Sequence, residues 1–586
     1  MYDCAPKTAY VITFSTLARP HTWWTRERVR LATGFTGSTG ALVLYFAQKG
    51  DPTLHLFVDS RYTLQAQRQV CRTVPAVGVH GPLSRKKSIR NQIASAIGRP
   101  VVTVYGEPRD WPLSAPDLTF IADDTIWTHR TWLDTFWARR HIPEISENEI
   151  FSRSTETITH RIDQLAPCVA RNTWYALTQA KLVTWITGLV VPHPESCGIH
   201  TSGFIVLYGV FVRPRILVIF DDDADVRAYT ELVRISEECP MDVFFRTQKA
   251  AIALQLQTFP LVVYERDTTG HIFRAFSLMN DTVQYETDVF LDIFATASVL
   301  APHELAAHVR ASCIEALVFK NASRYFTRPA RIASSLRQSR RFYAETNYVG
   351  DSFPAIVAAD SGSAEPHYDM GDRDPRDPEF VLIDTGAHYL FGATTDTTRV
   401  FCNFQLIQDT TLAKLRAMYT TVLRAQMALF VHYNETQRYM APRASDLDAL
   451  CRSVIKRDYP RDAYKHGTGH GIAALGPVHN MHPTLSETSI HCIVPHEIFS
   501  VEPGVYIAEF GGVRLETSAM MHTDYKIYPM AFVPYEPRLV DMSKLNIEER
   551  AWFGAYQQIC AGDYDALPRL IPNEEVREIV WNGLVA

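Results

Sequence analysis

The segment EFVLIDTGAHYLFGATTDTTRV, residues 379–400, contains an apolar strand, a turn and a second, polar strand. Asp384 stands inside the apolar run, and Asp396 stands in the polar half, where alone it could be a turn residue. Gly392 lies between them and permits a tight hairpin turn. Burying an unpaired carboxylate is costly, so Asp384 is expected to need a cation, a proton or several hydrogen-bond donors.

Two more carboxylates interrupt apolar runs further along the chain. Glu502 stands in EIFSVEPGVYI (497–507) and Glu516 in GVRLETSAMM (512–521). One such residue could be explained by a structural ion pair or by a hydrogen bond at a strand end. Three together favour a shared site that compensates their charge.

A glycine-rich segment, KHGTGHGIAALGPVH (465–479), adds His466 and His470 between glycines that allow a close approach of the backbone. It does not match the phosphate-binding pattern G-x-G-x-x-G, because Ile472 stands where the third glycine belongs. Four carboxylates and one imidazole form an oxygen-rich ligand set. Such a set suits manganese, cobalt or iron better than an ion that prefers thiolates.

The composition bounds the class of protein. A chain of 586 residues exceeds the roughly 250–300 residues of a single hydrophobic core, so several domains are expected. The 58 Lys and Arg against 64 Asp and Glu give a formal charge of −6, which does not support a nucleic-acid partner. Ten scattered cysteines without a CxxC pair are typical of a cytoplasmic protein with reduced thiols.

No membrane segment or signal peptide is expected from the sequence. The most apolar stretch, 204–220, is interrupted by Arg213, Pro214 and Arg215 and is shorter than the roughly 20 residues of a spanning helix. It is predicted to form two buried strands joined by a turn.

The pattern of predicted strands and helices changes near residues 155 and 300. The β-rich runs ALVLYFAQ (41–48) and TLHLFVD (53–59), followed by a helical pattern at 61–70, predict an N-terminal α/β domain. A helical pattern over about 159–185 and three later β-rich runs predict a second α/β domain. From residue 301 a long helical stretch at 303–326 opens the part that holds the candidate site.

Four motifs resemble those of aminopeptidase P, of the pita-bread metallopeptidase family, in its long three-domain form. They are DTGAHYLFGATTDTTR (384–399), HGTGHG (466–471), SVEPGVY (500–506) and FGGVRLE (510–516). ATGFTGSTG (32–40), LFVDSRYTLQA (56–66) and residues 540–559 extend the similarity over most of the chain. The resemblance implies two N-terminal α/β domains of the creatinase type, 1–155 and 156–300. A catalytic pita-bread domain with a C-terminal extension, α+β in class, would follow at 301–586.

The resemblance also implies the site and its chemistry. Two divalent ions, expected to be manganese, would be bound by Asp384, Asp396, His470, Glu502 and Glu516. Glu502 would relay a proton, and His367, His466 and His479 would border the substrate as further catalytic residues. The implied activity is removal of the first residue from peptides whose second residue is proline, by a cytoplasmic homodimer.

One spacing departs from the family pattern. Twelve positions lead from Asp384 to Asp396, one more than is usual in the family. An extra residue in the turn preserves the strand faces, whereas one within a strand would turn the side chain away from the site. We expect the turn, between Leu390 and Thr395, to absorb it.

The sequence has four alternative interpretations. A dipeptide-specific prolidase shares the ligands and the chemistry, although the length favours the aminopeptidase. A creatinase-like hydrolase without metal, or a non-catalytic binding module of this fold, would leave the complete ligand set unexplained. The sequences Asp384-Thr385-Gly386 and Asp360-Ser361-Gly362 resemble aspartic-protease motifs, but they lie too close together to form two lobes.

Overall fold

The computed structural model of the chain describes residues 280–586 except 326–327, 370–376, 437–439 and 477. Before residue 280 it describes residues 8–15, 29, 33–37, 39–47, 53–73, 77–81, 89–101, 103–106, 125–127, 155–170, 172–177, 179, 182, 185–186, 192–193, 198–199, 204–208, 215–220, 243–247, 259–264 and 277. The chain divides into two compact units, one of residues 1–191 and 200–293 and one of residues 192–199 and 294–586.

The first unit contains two six-stranded sheets. The first is formed by β1 (Thr8–Ser15), β2 (Thr39–Phe46), β3 (Thr53–Phe57), β4 (Gly78–His80), β5 (Thr103–Gly106) and β6 (Thr125–Trp127), in the order β4-β3-β2-β1-β5-β6, with helices α1 (Thr63–Thr73) and α2 (Ile89–Ile97). The antiparallel pairing of β2 with β3 confirms the two predicted N-terminal strands. The helix predicted at 61–70 is confirmed as α1.

The second sheet follows helix α3 (Thr155–Leu165). Its strands are β7 (Trp174–Leu177), β10 (Phe204–Tyr208), β11 (Arg215–Phe220), β12 (Val243–Thr247), β13 (Leu261–Tyr264) and β14 (Val283–Glu286). Their order in the sheet is β12-β11-β10-β7-β13-β14. The short strands β8 (Pro192–His193) and β9 (Gly198–Ile199) pair with each other and belong to the second unit. The antiparallel pair β10 and β11 confirms two strands in the apolar stretch 204–220. Among the described residues, no helix combines the length and apolar character needed to cross a bilayer.

The helix predicted over about 159–185 was wrong in its middle part. Helix α3 ends at Leu165, and β7 occupies 174–177. Pro167 lacks a backbone N–H and cannot extend a helix, and Asn172 adopts a left-handed φ of 55°. The change of unit at 293/294 falls within α4 (Asp288–Ser298), near the predicted boundary at 300, and the division into three domains stays a prediction.

The second unit surrounds antiparallel sheets with helices. Its helices are α5 (Pro302–Ala322), α6 (Pro329–Ala344), α7 (Asp409–Met427), α8 (Ala444–Ile455), α9 (Ile547–Cys560) and α10 (Glu574–Leu584), with a π-helical segment at Ala428–Tyr433 and short helical turns at Ser323–Tyr325, Glu345–Asn347, Asp360–Ala364, Asn434–Thr436, Arg461–Ala463, Pro537–Leu539, Met542–Lys544, Tyr564–Ala566 and Leu567–Leu570. The predicted long helix at 303–326 is confirmed as α5. Helix α9 begins with a capping box, in which the Asn546 side chain accepts the Glu549 N–H and the Glu549 side chain accepts the Asn546 N–H.

The strands of this unit carry the candidate site. They are β15 (Tyr348–Asp351), β16 (Ile356–Ala359), β17 (Phe380–Thr385), β18 (Ala387–Tyr389), β19 (Ala393–Thr394), β20 (Thr397–Cys402), β21 (Gly469–Gly471), β22 (Asn480–Leu485), β23 (Ile498–Val501), β24 (Gly504–Ile507), β25 (Gly511–Arg514), β26 (Thr517–Met521) and β27 (Ile527–Pro529). They form sheets β15-β18-β19, β16-β17-β20, β22-β21-β23-β26-β27 and β24-β25. Strands β17, β23 and β26 are buried along their whole length, including their polar residues.

Candidate metal centre

The hairpin at 380–402 positions Asp384 and Asp396. Its register runs without a shift from Phe380 opposite Cys402 to Asp384 opposite Thr398, and it continues in β18 and β19. The turn closes at Gly392, whose φ of 100° favours glycine. Because the register does not shift between the two ends of the hairpin, Asp384 and Asp396 lie on the same face. That the turn holds an extra residue stays a prediction.

The glycine-rich segment places His470. A Cβ on Gly469 would lie 1.8 Å from the Ser500 carbonyl oxygen, and one on Gly471 would lie 2.0 Å from the His482 carbonyl oxygen. Only glycine therefore lets β21 approach the neighbouring backbone so closely. These glycines therefore allow β21 to pack against the backbone of β22 and β23.

One ring nitrogen of His470, Nε2, faces the carboxylates of Asp396 and Glu502. Its Nδ1 lies 3.1 Å from the Gly471 carbonyl oxygen, which can only accept, so Nδ1 carries the proton when the ring is neutral. Nε2 then presents a lone pair 3.4 Å from Asp396 Oδ2 and 3.5 Å from Glu502 Oε1. Atoms that can all only accept need a proton or a cation between them.

Glu516 completes the group. Its backbone N–H donates to the Thr398 carbonyl at 3.1 Å, and the Thr398 hydroxyl donates to Glu516 Oε2 at 2.9 Å. Potential ligand atoms of Asp396, His470 and Glu516 all lie within 4.8 Å of one another. We refer to Asp384, Asp396, His470, Glu502 and Glu516 as the five-residue centre.

Three carboxylate oxygens in this centre are buried without compensation. Asp384 Oδ1, Asp396 Oδ1 and Glu516 Oε1 accept no hydrogen bond from the residues that the structure describes. Burial, and then repulsion from Asp384 and Glu502, holds the pKa of Asp396 well above its ordinary value. Burial and repulsion from Asp396 and Glu502 act in the same way on the pKa of Glu516. Burial and mutual repulsion thus oppose ionisation of these carboxyls, and the described protein groups do not compensate the charge that they carry once ionised.

The charge count fits divalent cations. Four carboxylates face one guanidinium, that of Arg514, which donates to Asp384 Oδ2 at 2.6 Å. Three negative charges are then left over, so one divalent ion would leave one negative charge uncompensated and two would compensate all of them with one positive charge in excess. Hard carboxylate oxygens with a single imidazole match the ligand preference of manganese and similar ions.

The structure brings His466 to the edge of this centre and engages both of its ring nitrogens. Its Nδ1 lies 2.8 Å from the Gly467 carbonyl oxygen, and its Nε2 lies 2.7 Å from the Tyr506 hydroxyl. Burial, and then the charge of Arg514, lowers the pKa of His466 well below its usual range, so the ring is neutral. In this arrangement His466 accepts from Tyr506 and has no N–H to spare for a substrate.

The other two predicted histidines lie nearby. The exposed His479 packs its ring against His470, with centroids 4.3 Å apart. His367 is half-buried and close enough to His466 to lower its pKa electrostatically. All eight predicted residues thus belong to one region of the second unit, and their catalytic roles remain predictions.

Sequence reasoning missed the buried donors behind the carboxylates. The Arg514 side chain donates to Thr398 Oγ1 at 3.1 Å and to the Tyr506 hydroxyl at 2.8 Å, besides Asp384. The only signal in the sequence is that Arg514 is a charged residue in the apolar run that also contains Glu516. Its partner Asp384 lies 130 positions earlier, so the pairing depends on the fold.

Comparisons with known proteins find relatives among the metallopeptidases. Residues 306–522 match metallopeptidase family M24 (Peptidase_M24). A "Probable Xaa-Pro aminopeptidase P" of Colletotrichum graminicola is 31% identical over 246 residues, which cover 38% of this chain and 37% of that protein. A "Putative dipeptidase YkvY" of Bacillus subtilis is 31% identical over 175 residues, covering 30% of this chain and 44% of that protein. The chain thus spans less than half the length of these curated relatives.

A solved structure extends the likeness to the whole fold. The X-prolyl aminopeptidase from Caenorhabditis elegans, described as a cytosolic enzyme with a di-nuclear active site, aligns with a TM-score of 0.77 at 17% identity, over 99% of this chain and 95% of that one. The predicted fold class is therefore confirmed: α/β elements in the N-terminal part precede a C-terminal part with the same fold as that structure, and residues 306–522 of this part match the M24 model. The resemblance stated from the motifs is confirmed as well.

Proposed function

We propose that this chain, whose residues 306–522 match the M24 metallopeptidases, is a metal-dependent aminopeptidase that removes the first residue of peptides with proline in second place. The observation that carries the proposal is the five-residue centre, with three buried carboxylate oxygens that lack any donor among the described residues. The names of the fungal relative and of the nematode structure support the same substrate class.

Each residue of the centre has a proposed task. Asp384 would hold one divalent ion, His470 and Glu502 the other, and Asp396 and Glu516 both, with manganese as the expected metal. Bound there, the ions would supply a water activated at neutral pH and an electrophile that polarises the scissile carbonyl. Arg514 fixes one oxygen of Asp384, and Thr398 fixes one oxygen of Glu516, which would leave the remaining oxygens of both residues free to hold the ions.

Glu502 is the residue best placed to move a proton. Its side chain is 18% exposed, against 11% for Asp384 and 6% for Asp396, so it reaches furthest toward the open side. Burial raises the pKa of Glu502, which favours uptake of a proton during the reaction. Glu502 would pass this proton to the leaving proline nitrogen.

The substrate preference follows from the chemistry of proline and of the site. The carboxylates would receive the free ammonium group of the peptide, which restricts cleavage to the first bond. Proline has a fixed φ and no N–H, so a pocket shaped for it needs no acceptor for that amide. His367 and His479 would donate hydrogen bonds to substrate carbonyls, and His466 would hold Tyr506 in place.

The state of Arg514 supports an aminopeptidase over a dipeptidase. A dipeptidase specific for Xaa-Pro must bind the free carboxylate that follows proline. Arg514 is 3% exposed and already donates to Asp384, Tyr506 and Thr398, so it is not available to that carboxylate. Homodimer formation and a cytoplasmic location remain predictions from the resemblance.

The test compares an Xaa-Pro dipeptide with the same dipeptide extended by two residues, each with the manganese-loaded chain. Faster cleavage of the extended peptide, with release of the first residue only, is expected. A blocked N-terminus on the extended peptide should abolish cleavage and serves as the matched control. A clear preference for the unextended dipeptide would replace the aminopeptidase with a prolidase. Equal activity in a metal-free preparation would contradict metal dependence itself.

A further inference from the structure

A second cluster of imidazole and carboxylate groups lies in the C-terminal part of the second unit. His496 precedes strand β23, His522 directly follows β26, and Glu575 stands in the first turn of helix α10. One potential ligand atom of each lies within 4.8 Å of those of the other two. None of the three residues belongs to the five-residue centre.

The backbone holds both histidines at the ends of neighbouring strands. The His496 N–H donates to the Met521 carbonyl at 2.7 Å, and the His522 N–H donates to the Lys526 carbonyl at 3.0 Å. The two ring centroids are 5.9 Å apart, and His522 is 2% exposed. Two imidazoles are therefore fixed side by side, whether or not α10 contacts them.

The nitrogen atoms have the character of ligands. His496 Nε2 is buried and has no hydrogen-bond partner among the described residues. His522 Nε2 lies 3.3 Å from Glu575 Oε2.

A carboxylate also lies behind the buried imidazole. Asp524 Oδ1 is 3.3 Å from His522 Nδ1, and Asp524 Oδ2 accepts hydrogen bonds from the Tyr528 hydroxyl at 2.7 Å and from Asn573 at 3.0 Å. His522 Nδ1 also faces the Asp524 backbone N–H at 3.4 Å and the Asn573 amide nitrogen at 3.3 Å. When a metal binds Nε2, the proton moves to Nδ1, and Asp524 Oδ1 is then the acceptor that orients the ring, as carboxylates behind metal-binding histidines commonly do. The same Asn573 caps helix α10 by accepting the Val576 N–H at 3.1 Å.

We propose that His496, His522 and Glu575 form a second metal site, which takes a zinc ion and ties the N-terminus of α10 to the strand ends. Two neutral imidazoles and one carboxylate are a frequent zinc ligand set, and imidazole favours zinc over manganese or magnesium. Glu575 is on the solvent side, with a side chain 61% exposed, so a water molecule can take the remaining position. Metal would thus couple helix α10 to the sheet that carries Glu502.

The test uses the full chain loaded with manganese, into which zinc chloride is titrated. Glu575→Gln removes the ligand, and Glu574→Gln removes the neighbouring exposed carboxylate of the same helix turn and serves as the matched control. Zinc binding is measured by calorimetry, and protection of residues 574–584 by hydrogen exchange. Zinc that enters the five-residue centre affects all variants alike and so cancels in the comparison.

We expect the wild type and Glu574→Gln to bind one further zinc equivalent and to gain protection in α10. Glu575→Gln should bind that equivalent at least about tenfold more weakly and gain no protection. His496→Asn should behave like Glu575→Gln, since asparagine tolerates the left-handed φ of 68° at this position but offers no imidazole. Identical titrations and identical exchange in all four proteins would overturn the proposal. Peptidase activity is not the readout, so failure here leaves the proposed function intact.

Discussion

Two groups of buried carboxylates lie in the second unit, and their charges are compensated in different ways. In the arginine cluster, formed by Glu315, Arg340 and Asp351, the Arg340 guanidinium donates to both oxygens of Glu315 at 2.8 and 2.9 Å and to Asp351 at 2.8 Å. Hydroxyl groups of Tyr389 and Tyr348 supply further donors at 2.6 and 2.7 Å. In the five-residue centre, one arginine faces four carboxylates, and three oxygens have no donor among the described residues.

The difference separates structural charge from functional charge. Burial of ions is tolerated when partners and hydrogen bonds satisfy them, and the arginine cluster meets that condition with protein groups alone. Its Arg340 also donates to the Thr385 hydroxyl at 2.9 Å, beside Asp384, so the satisfied cluster braces the strand that carries the unsatisfied one. The five-residue centre meets the condition only when protons or cations from outside compensate its carboxylates.

The largest effect is expected from changes in the five-residue centre that spare the fold. Glu502→Gln and His470→Ala should each reduce kcat by about 10²- to 10⁴-fold, because they remove the proton carrier and a metal ligand. Steady-state kinetics on an Xaa-Pro peptide and circular dichroism provide the two measurements. Near-normal turnover in a folded, metal-loaded variant would exclude that residue from the mechanism.

The arginine cluster should show the opposite behaviour, with a large loss of stability. Arg340→Met leaves Glu315 and Asp351 buried without their cation, which should lower the free energy of unfolding by about 3–5 kcal/mol. Urea unfolding of the second unit, followed by fluorescence, measures the change.

The matched control for that experiment is Arg337→Met. Arg337 donates to the same Asp351 at 2.6 Å, but its side chain is 55% exposed. A solvent-exposed partner contributes little, so this variant should lose no more than about 1 kcal/mol. Equal losses in the two variants would mean that burial does not distinguish the two arginines.

The five-residue centre could be predicted from the sequence, whereas the arginine cluster could not. Asp384, Glu502 and Glu516 interrupt apolar strands, where a charge is conspicuous, and the glycines beside His470 marked a close approach. Glu315 and Arg340 stand in helices α5 and α6, where charged residues are ordinary, so nothing in the local pattern distinguishes them. Their pairing depends on how the helices pack.

The same reason explains the other omissions. His496, His522 and Glu575 are separated by 26 and 53 positions, and only the strand ends and helix α10 bring them together. The failed helix between residues 166 and 177 is a local error of a different kind. There the apolar spacing suggested a helix, while Pro167 and the β-favouring Trp174 and Tyr175 opposed it.

Metal removal should reverse the effect that a substitution in the five-residue centre has on the stability of the fold. In chelated protein, Asp396→Asn relieves repulsion and burial of charge and should stabilise the fold by about 1–3 kcal/mol. With manganese restored, the same variant lacks a ligand and should be less stable than the wild type. Thermal unfolding with and without chelator measures both states, and a change of the same sign in both would argue against metal compensation.

The smallest expected effect is the loss of stability of the arginine cluster at low pH. Burial alone would raise the pKa of Asp351, but the charge of Arg340 and hydrogen bonds from Arg337 and Tyr348 outweigh it, and the pKa is lowered. The stabilisation contributed by the Asp351 charge is therefore complete above the unfolded pKa of roughly 4 and is lost as pH falls through the lower folded value.

The deficit in unfolding free energy of Asp351→Asn relative to wild type should be constant from pH 7 to 5. It should shrink below pH 4, by about 1.4 kcal/mol for each unit that separates the folded and unfolded pKa values. Urea titrations at pH 7, 5, 4 and 3.5, with chelator present so that metal loss does not contribute, measure this difference. A deficit that stays constant down to pH 3.5 would show that Asp351 acts through its hydrogen bonds and not through its charge.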